Sequence, residues 1–158
     1  MLVVWFLANV IALSFALAIL EVFIEKQNGW ATGFGPFWGK KYFQDGWVAK
    51  LCEKHYLTRY HLMMFCLVVP LVLYGEHRWL KIAPLTLIAA WIEIMVVEDF
   101  LWFAINWHFQ GSLRKLFAGQ IWWHTVYWKI GKVRLPRFYF LSSIWATVCL
   151  LLQYHLAG

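Results

Sequence analysis

WIEIMVVEDFLWF, residues 91–103, decides how this chain is read. Its Trp, Ile, Met, Val, Phe and Leu side chains belong in hydrocarbon, yet Glu93, Glu98 and Asp99 sit among them. Upstream, the run from Ile82 to Trp91 carries no charge, so the stretch is the second half of a long apolar segment. A membrane-spanning helix needs about 20 predominantly apolar residues. Four segments meet that length, at about 2–24, 58–75, 82–106 and 138–156. The whole chain agrees: 158 residues, 63% hydrophobic, 20% aromatic and 14% charged, with a mean hydropathy of +0.61. A soluble domain is about 45–50% apolar and about 25% charged. The expected fold is an all-α integral membrane protein, one membrane domain over 1–158 with four transmembrane helices in a bundle. Pro70 falls inside the second span, where a neighbouring group has to satisfy the carbonyl that its missing N–H frees. The first run lacks a basic leader and a small-residue cleavage pattern, so it is expected to stay as a helix. Cys52, Cys66 and Cys149 form no CxxC pair and read as small buried hydrophobes.

The basic residues orient the spans. Six Lys and Arg lie between spans one and two (Lys26, Lys40, Lys41, Lys50, Lys54, Arg59). Six more lie between spans three and four (Arg114, Lys115, Lys129, Lys132, Arg134, Arg137), and Arg78 and Lys81 alone separate spans two and three. The positive-inside rule places both long connections in the cytoplasm and both termini outside. The net charge of +6 then describes a cytoplasmic face set against anionic headgroups, not a nucleic-acid site.

Both connections are rich in Gly, Trp, Tyr and Phe. Trp47 to Tyr60 and Ser112 to Lys129 read as amphipathic helices in the interface plane. Gly33-Phe34-Gly35-Pro36 lacks the Gly-Lys-Ser/Thr ending of a phosphate loop and reads as a turn. An offset of 78 aligns several polar positions: Glu21 with Asp99, Asn28 with Asn106, Lys54 with Lys132, Arg59 with Arg137 and His77 with His155. That pattern suggests two parallel repeats of helix–loop–helix, halves 1–79 and 80–158, related by an axis along the membrane normal.

An ionised acid at a helix centre costs about 2.5–3.5 kcal/mol on insertion scales, and an apolar residue returns only about 0.3–0.6. Intramembrane carboxylates therefore face a bundle interior or a wet cavity and are functional hypotheses by default. By topology, Glu21, Glu25, Glu98, Asp99, Asn106, His61, His55, His108 and His124 gather at the cytoplasmic face, with Glu93 deeper. The candidate catalytic residues are Glu98, Asp99, Glu21, Glu93 and Asn106. If a divalent metal is bound, Glu21, Glu25, His61 and His124 are its candidate ligands, although no HExxH, Glu-x-x-His or HxxHH cluster selects metal chemistry. Bland readings compete: His61 as an interfacial residue, Trp122-Trp123-His124 as an aromatic belt, and Glu25 as a solvated helix end.

Three functions suit carboxylates and imidazoles between helices. The first is an enzyme that moves protons on an apolar lipid or isoprenoid substrate within the bilayer, with aromatic walls stabilising developing cation. The second is an assembly subunit whose acids pair with a partner. The third is a proton- or cation-coupled transporter subunit, which four spans build only as a homodimer or larger complex. Over six residues, Glu98-Asp99-Phe100-Leu101-Trp102-Phe103 resembles the acidic and aromatic stretches of membrane carotene cyclases and small four-span sterol isomerases. That resemblance implies isomerase-like or cyclase-like chemistry.

Overall fold

A computed structural model describes residues 2–29, 34–44 and 56–157. Five helices make up most of it: α1 (Leu2–Glu25), α2 (Arg59–Leu80), α3 (Pro84–Ile105), α4 (Ser112–Ala118) and α5 (Arg137–Ala157). Two small antiparallel hairpins accompany them, β1 (Lys41–Tyr42) with β2 (Leu57–Thr58), and β3 (Tyr127–Ile130) with β4 (Val133–Pro136). Among the described residues α1, α2 and α5 are long and apolar enough to cross a membrane. The chain is thus a largely helical membrane protein. The third predicted span forms the 22-residue helix α3, which carries the three acids.

Local chemistry sets the helix ends. α1 is apolar around most of its circumference, as a helix in lipid can be, with Ser14, Glu21 and Glu25 turned inward, and it closes where Lys26 turns left-handed at φ 55°. α2 opens on a capping box: the His61 backbone N–H donates to Thr58 Oγ1, and the Thr58 backbone N–H donates to His61 Nδ1 at 3.2 Å. The next turns widen to π-helix at Met64–Val68, where the Val69 N–H reaches back five residues to the Met64 carbonyl. Continuing that pattern, residue 70 would bond the Phe65 carbonyl, but Pro70 has no N–H. The Trp91 indole N–H fills the gap at 2.6 Å. α2 runs to Leu80, beyond the predicted end at Gly75, because left-handed Lys81 caps it (φ 56°) and Pro84 starts α3 in its favoured first-turn position.

α3 is the central helix, packed on α1 along one side and on α5 along another. Ala89 and Ala90 are fully buried and let the helices approach closely. Ser14 Oγ donates to the Ile94 carbonyl (3.0 Å), and Asn106 Nδ2 donates to the Lys26 carbonyl (2.7 Å). Both bonds join residues 80 apart, so α1 and α3 run parallel. Val10, Leu17, Val69, Leu73, Ala90 and Ile94 form one core cluster. Ala18, Val22, Trp102, Phe103, Leu116, Ile121 and Trp123 form another.

The second core corrects the reading of the second connection. Ser112 to Lys129 is not one interfacial helix. α4 stops at Gly119, Leu116 and Ile121 turn into the core, and β3 begins at Tyr127. The all-α expectation is likewise too simple by two hairpins. In β3–β4, Gly131 takes φ 60° at the first position of a two-residue loop, the position that type II′ hairpin turns reserve for glycine. The expected helix from Trp47 lies mostly outside the described residues; its visible end is β2 and the start of α2. There Arg59 donates to the Tyr42 hydroxyl at 3.1 Å and lies over the Phe37 ring at 4.1 Å, tying the first connection to the helix. Cys52 is also outside the described residues. Cys66 is exposed rather than buried.

Candidate functional site

A cavity of about 360 Å³ lies where the C-terminal turns of α1 and α3 meet the N-terminal turns of α2 and α5. α1 contributes Glu21 and Glu25, one turn apart. From α2 come His61, Phe65 and Cys66. α3 contributes Trp91, Met95, Glu98, Asp99 and Trp102, whose spacings of three and four residues keep one stripe facing the cavity. Trp123 and His124 arrive from the second connection, and Phe138 and Ser142 from α5.

The acids are held in different ways. Asp99 Oδ2 accepts from the Tyr139 hydroxyl and pairs with His124 Nε2 at 3.2 Å. That one carboxylate joins α3, the second connection and α5. Glu21 lies beside the Tyr60 hydroxyl and the Glu98 carboxyl, and Glu25 is almost completely buried. Glu98 is 4% exposed, and among the described residues its Oε1 has no hydrogen-bond partner. The Trp102 indole nitrogen, on a side chain 3% exposed, also has none among the described residues. Native proteins leave few buried polar atoms in that condition.

Aromatic rings fix the rest of the wall. Phe103 and Trp123 stack at 5.6 Å and 15°, and Trp102 meets Trp123 edge-on at 5.6 Å. The His124 ring stacks on Phe138 at 5.4 Å. Gly29 makes room for Trp123: it is left-handed at φ 65°, and a Cβ there would lie 2.3 Å from the indole. The loop after α1 therefore carries glycine so that the second connection can close over the cavity.

Six sequence candidates come together: Glu21, Glu25, Glu98, Asp99, His61 and His124. Two do not. Glu93 is half-buried and off the wall. Asn106 ends α3, where its Oδ1 accepts from the His108 and Phe109 backbone N–H groups while its amide holds the Lys26 carbonyl. This is a structural tie between two helix ends. His61 both caps α2 and walls the cavity. Among the described residues no group of three His, Cys, Asp or Glu side chains stands close enough to hold a metal ion. The candidate ligands share a cavity without forming a ligand set.

Sequence reasoning missed Tyr60, Tyr139, Trp102, Trp123 and Phe138. Tyr60 and Tyr139 carried one usable signal: each lies within two residues of Arg59 or Arg137, the basic residues that open α2 and α5. No family model, curated protein or solved structure matches the chain.

Proposed function

We propose that the chain is a small membrane enzyme that moves protons on an apolar, lipid-like substrate drawn from the bilayer. The observation that carries this reading is the cavity itself. Four carboxyl groups and two imidazoles share a wall with Phe65, Trp91, Trp102, Trp123 and Phe138. Small-molecule sites have this character: volumes of roughly 300–1,000 Å³, mostly apolar linings and a few convergent polar groups. Glu98 and Glu21 are the acid–base pair, and Asp99, oriented by Tyr139 and His124, stabilises positive charge that develops on the substrate. The aromatic faces supply the same stabilisation to a carbocation.

The reading includes a topology. α3 is the fourth span; at 22 residues it is about 33 Å long, enough for a hydrocarbon core of about 30 Å. Both connections and the cavity lie at the cytoplasmic end, and both termini lie outside. The halves 1–79 and 80–158 are parallel repeats. In support, α1 and α3 run parallel, a hairpin precedes each of α2 and α5, and Arg59 and Arg137 open those helices 78 positions apart. The pairing of Asp99 within the chain weighs against an assembly subunit whose acids await a partner.

Proton transfer to carbon leaves an isotopic record. The test is incubation of the protein with extracted membrane lipid in D2O, followed by mass spectrometry of the apolar fraction. Wild type should enrich one lipid species in deuterium, and the double variant Glu98→Gln, Asp99→Asn should not. If wild type and the double variant give the same isotope pattern, the enzyme reading is wrong.

A further inference from the structure

We propose that the β3–β4 hairpin is an anchor seated in the bilayer surface. Its outer face dips into the leaflet at the cavity end of the spans, and Lys129 and Lys132 hold anionic headgroups there. The proposal does not depend on the enzyme reading. It starts from the strand register: Trp128 pairs with Leu135, and Ile130 with Val133. Directly opposed residues of an antiparallel pair share a face, and so do residues two apart along a strand. Trp128, Ile130, Val133 and Leu135 therefore form one face, apolar throughout. Tyr127, Lys129, Arg134 and Pro136 form the other.

The apolar face is the outer one. Trp128, Ile130 and Val133 are all exposed, Ile130 by 56%. The other face is turned towards the protein. Pro136 is buried there, and the Tyr127 hydroxyl donates to the Ile121 carbonyl at 3.2 Å. Arg134 lies so close to the end of α4 that a Cβ on Gly119 would stand 2.7 Å from its Cδ. In water such a hairpin is inside out. In an interfacial element, an apolar face towards the acyl chains with basic residues beside it is the expected polarity.

Two observations name the occupant. First, the apolar face continues onto a spanning helix. The Trp128 ring lies on Phe140 of α5 with centroids 4.9 Å apart, and Phe140 lines a groove on α5 with the exposed Ile144. α5 is long and apolar enough to cross a membrane, so the lipid around its first turns extends to the hairpin. Second, charge selects the headgroup. Lys129 and Lys132 are exposed, and the chain carries no Asp or Glu after Asp99. Each Lys or Arg near a surface favours anionic lipid by roughly fivefold. A second copy of the chain could cover the apolar face, but it would crowd identical cations together with no acid on the hairpin to offset them.

The experiment uses the full chain in nanodiscs of phosphatidylcholine with phosphatidylglycerol, its native cysteines replaced by serine. A nitroxide is attached in turn at Ile130→Cys, Val133→Cys and Lys129→Cys. Power-saturation electron paramagnetic resonance then compares collision with oxygen, which prefers hydrocarbon, and with a water-soluble nickel chelate. The labels at 130 and 133 should lie about 5–10 Å below the headgroup boundary, and the label at 129 in water. Equal nickel access at the three positions overturns the proposal, because the hairpin then stands in water. Shielding of position 130 from both reagents also overturns it, in favour of a second copy if the labels broaden one another and of the chain itself if they do not. Headgroup choice is read separately, from the immobilised fractions of spin-labelled phosphatidylglycerol and phosphatidylcholine around unlabelled protein. Lys129→Gln with Lys132→Gln should lower the preference for phosphatidylglycerol about two- to fivefold. An unchanged preference overturns the assignment of anionic lipid to this hairpin.

Discussion

Where Val10, Leu17, Val69, Leu73, Ala90 and Ile94 meet, α1, α2 and α3 pack by hydrocarbon contact, with Ser14 stitching α1 to α3 through a backbone carbonyl. Little more than a turn further along α3, the same helices bring Glu21, Glu25, Glu98 and Asp99 together. The first region shows that these helices can be held without charge. The second keeps acids at a cost of about 2.5–3.5 kcal/mol each when ionised near a helix centre. The difference separates scaffold from site. Where burial alone serves the fold, charge is absent; where acids persist against their cost, they serve something other than the fold.

The strongest way to break this comparison is to neutralise the acidic region. Glu98→Gln with Asp99→Asn should reduce deuterium incorporation by about 100-fold or more, the scale of one lost general acid–base. The helical circular dichroism of the variant should stay at the wild-type level. Glu93→Gln, off the cavity wall, should keep wild-type incorporation. If Glu93→Gln is as damaging as the pair, the cavity does not define the site.

The apolar region should respond in the opposite manner. Ile94 is fully buried in that cluster. Ile94→Ala should lower unfolding free energy in mixed micelles by about 2–5 kcal/mol, with turnover per folded molecule unchanged. A loss of turnover without a loss of stability would mean that the two regions are not separable.

Gly29→Ala sharpens the boundary between the connections and the site. The left-handed backbone alone costs a side chain about 1–2 kcal/mol, and the new Cβ displaces Trp123 from the wall. Thermal unfolding should fall, and turnover should fall with it. A stability loss with normal turnover would show that Trp123 can move without affecting the site.

Much of this site was legible because charge in an apolar run is conspicuous. Glu98, Asp99 and Glu21 stand out against their neighbours, and parallel placement of α1 and α3 is enough to bring them to one level. His61 and His124 followed from topology. The remainder was hidden for physical reasons. Trp102 and Trp123 are two of twelve tryptophans, and composition does not separate a wall from a lipid-facing ring. Asn106 read as a site residue because polar groups at a span end look alike; its role as a cap depends on the Lys26 carbonyl from another helix. The second connection read as an amphipathic helix because α4 and β3–β4 share one aromatic and basic composition. Ile130-Gly131-Lys132-Val133 was the local signal that a hairpin, not a helix, lay there.

The smallest effect expected lies where the two regions join. Trp91 walls the cavity and also completes the backbone of α2, because Pro70 cannot donate to the Phe65 carbonyl. Trp91→Phe removes that bond and keeps an aromatic ring, so it should cost about 1 kcal/mol of stability. In a Pro70→Ala background the restored N–H can serve α2 directly, and the Trp91 bond becomes dispensable. The same Trp91→Phe change should then cost almost nothing, giving a coupling of about 1 kcal/mol in a double-mutant cycle. A coupling near zero would mean that Trp91 acts by packing alone. It would also mean that the proline in α2 and the indole on α3 are independent, and the scaffold would then shape the cavity without lending it that tryptophan.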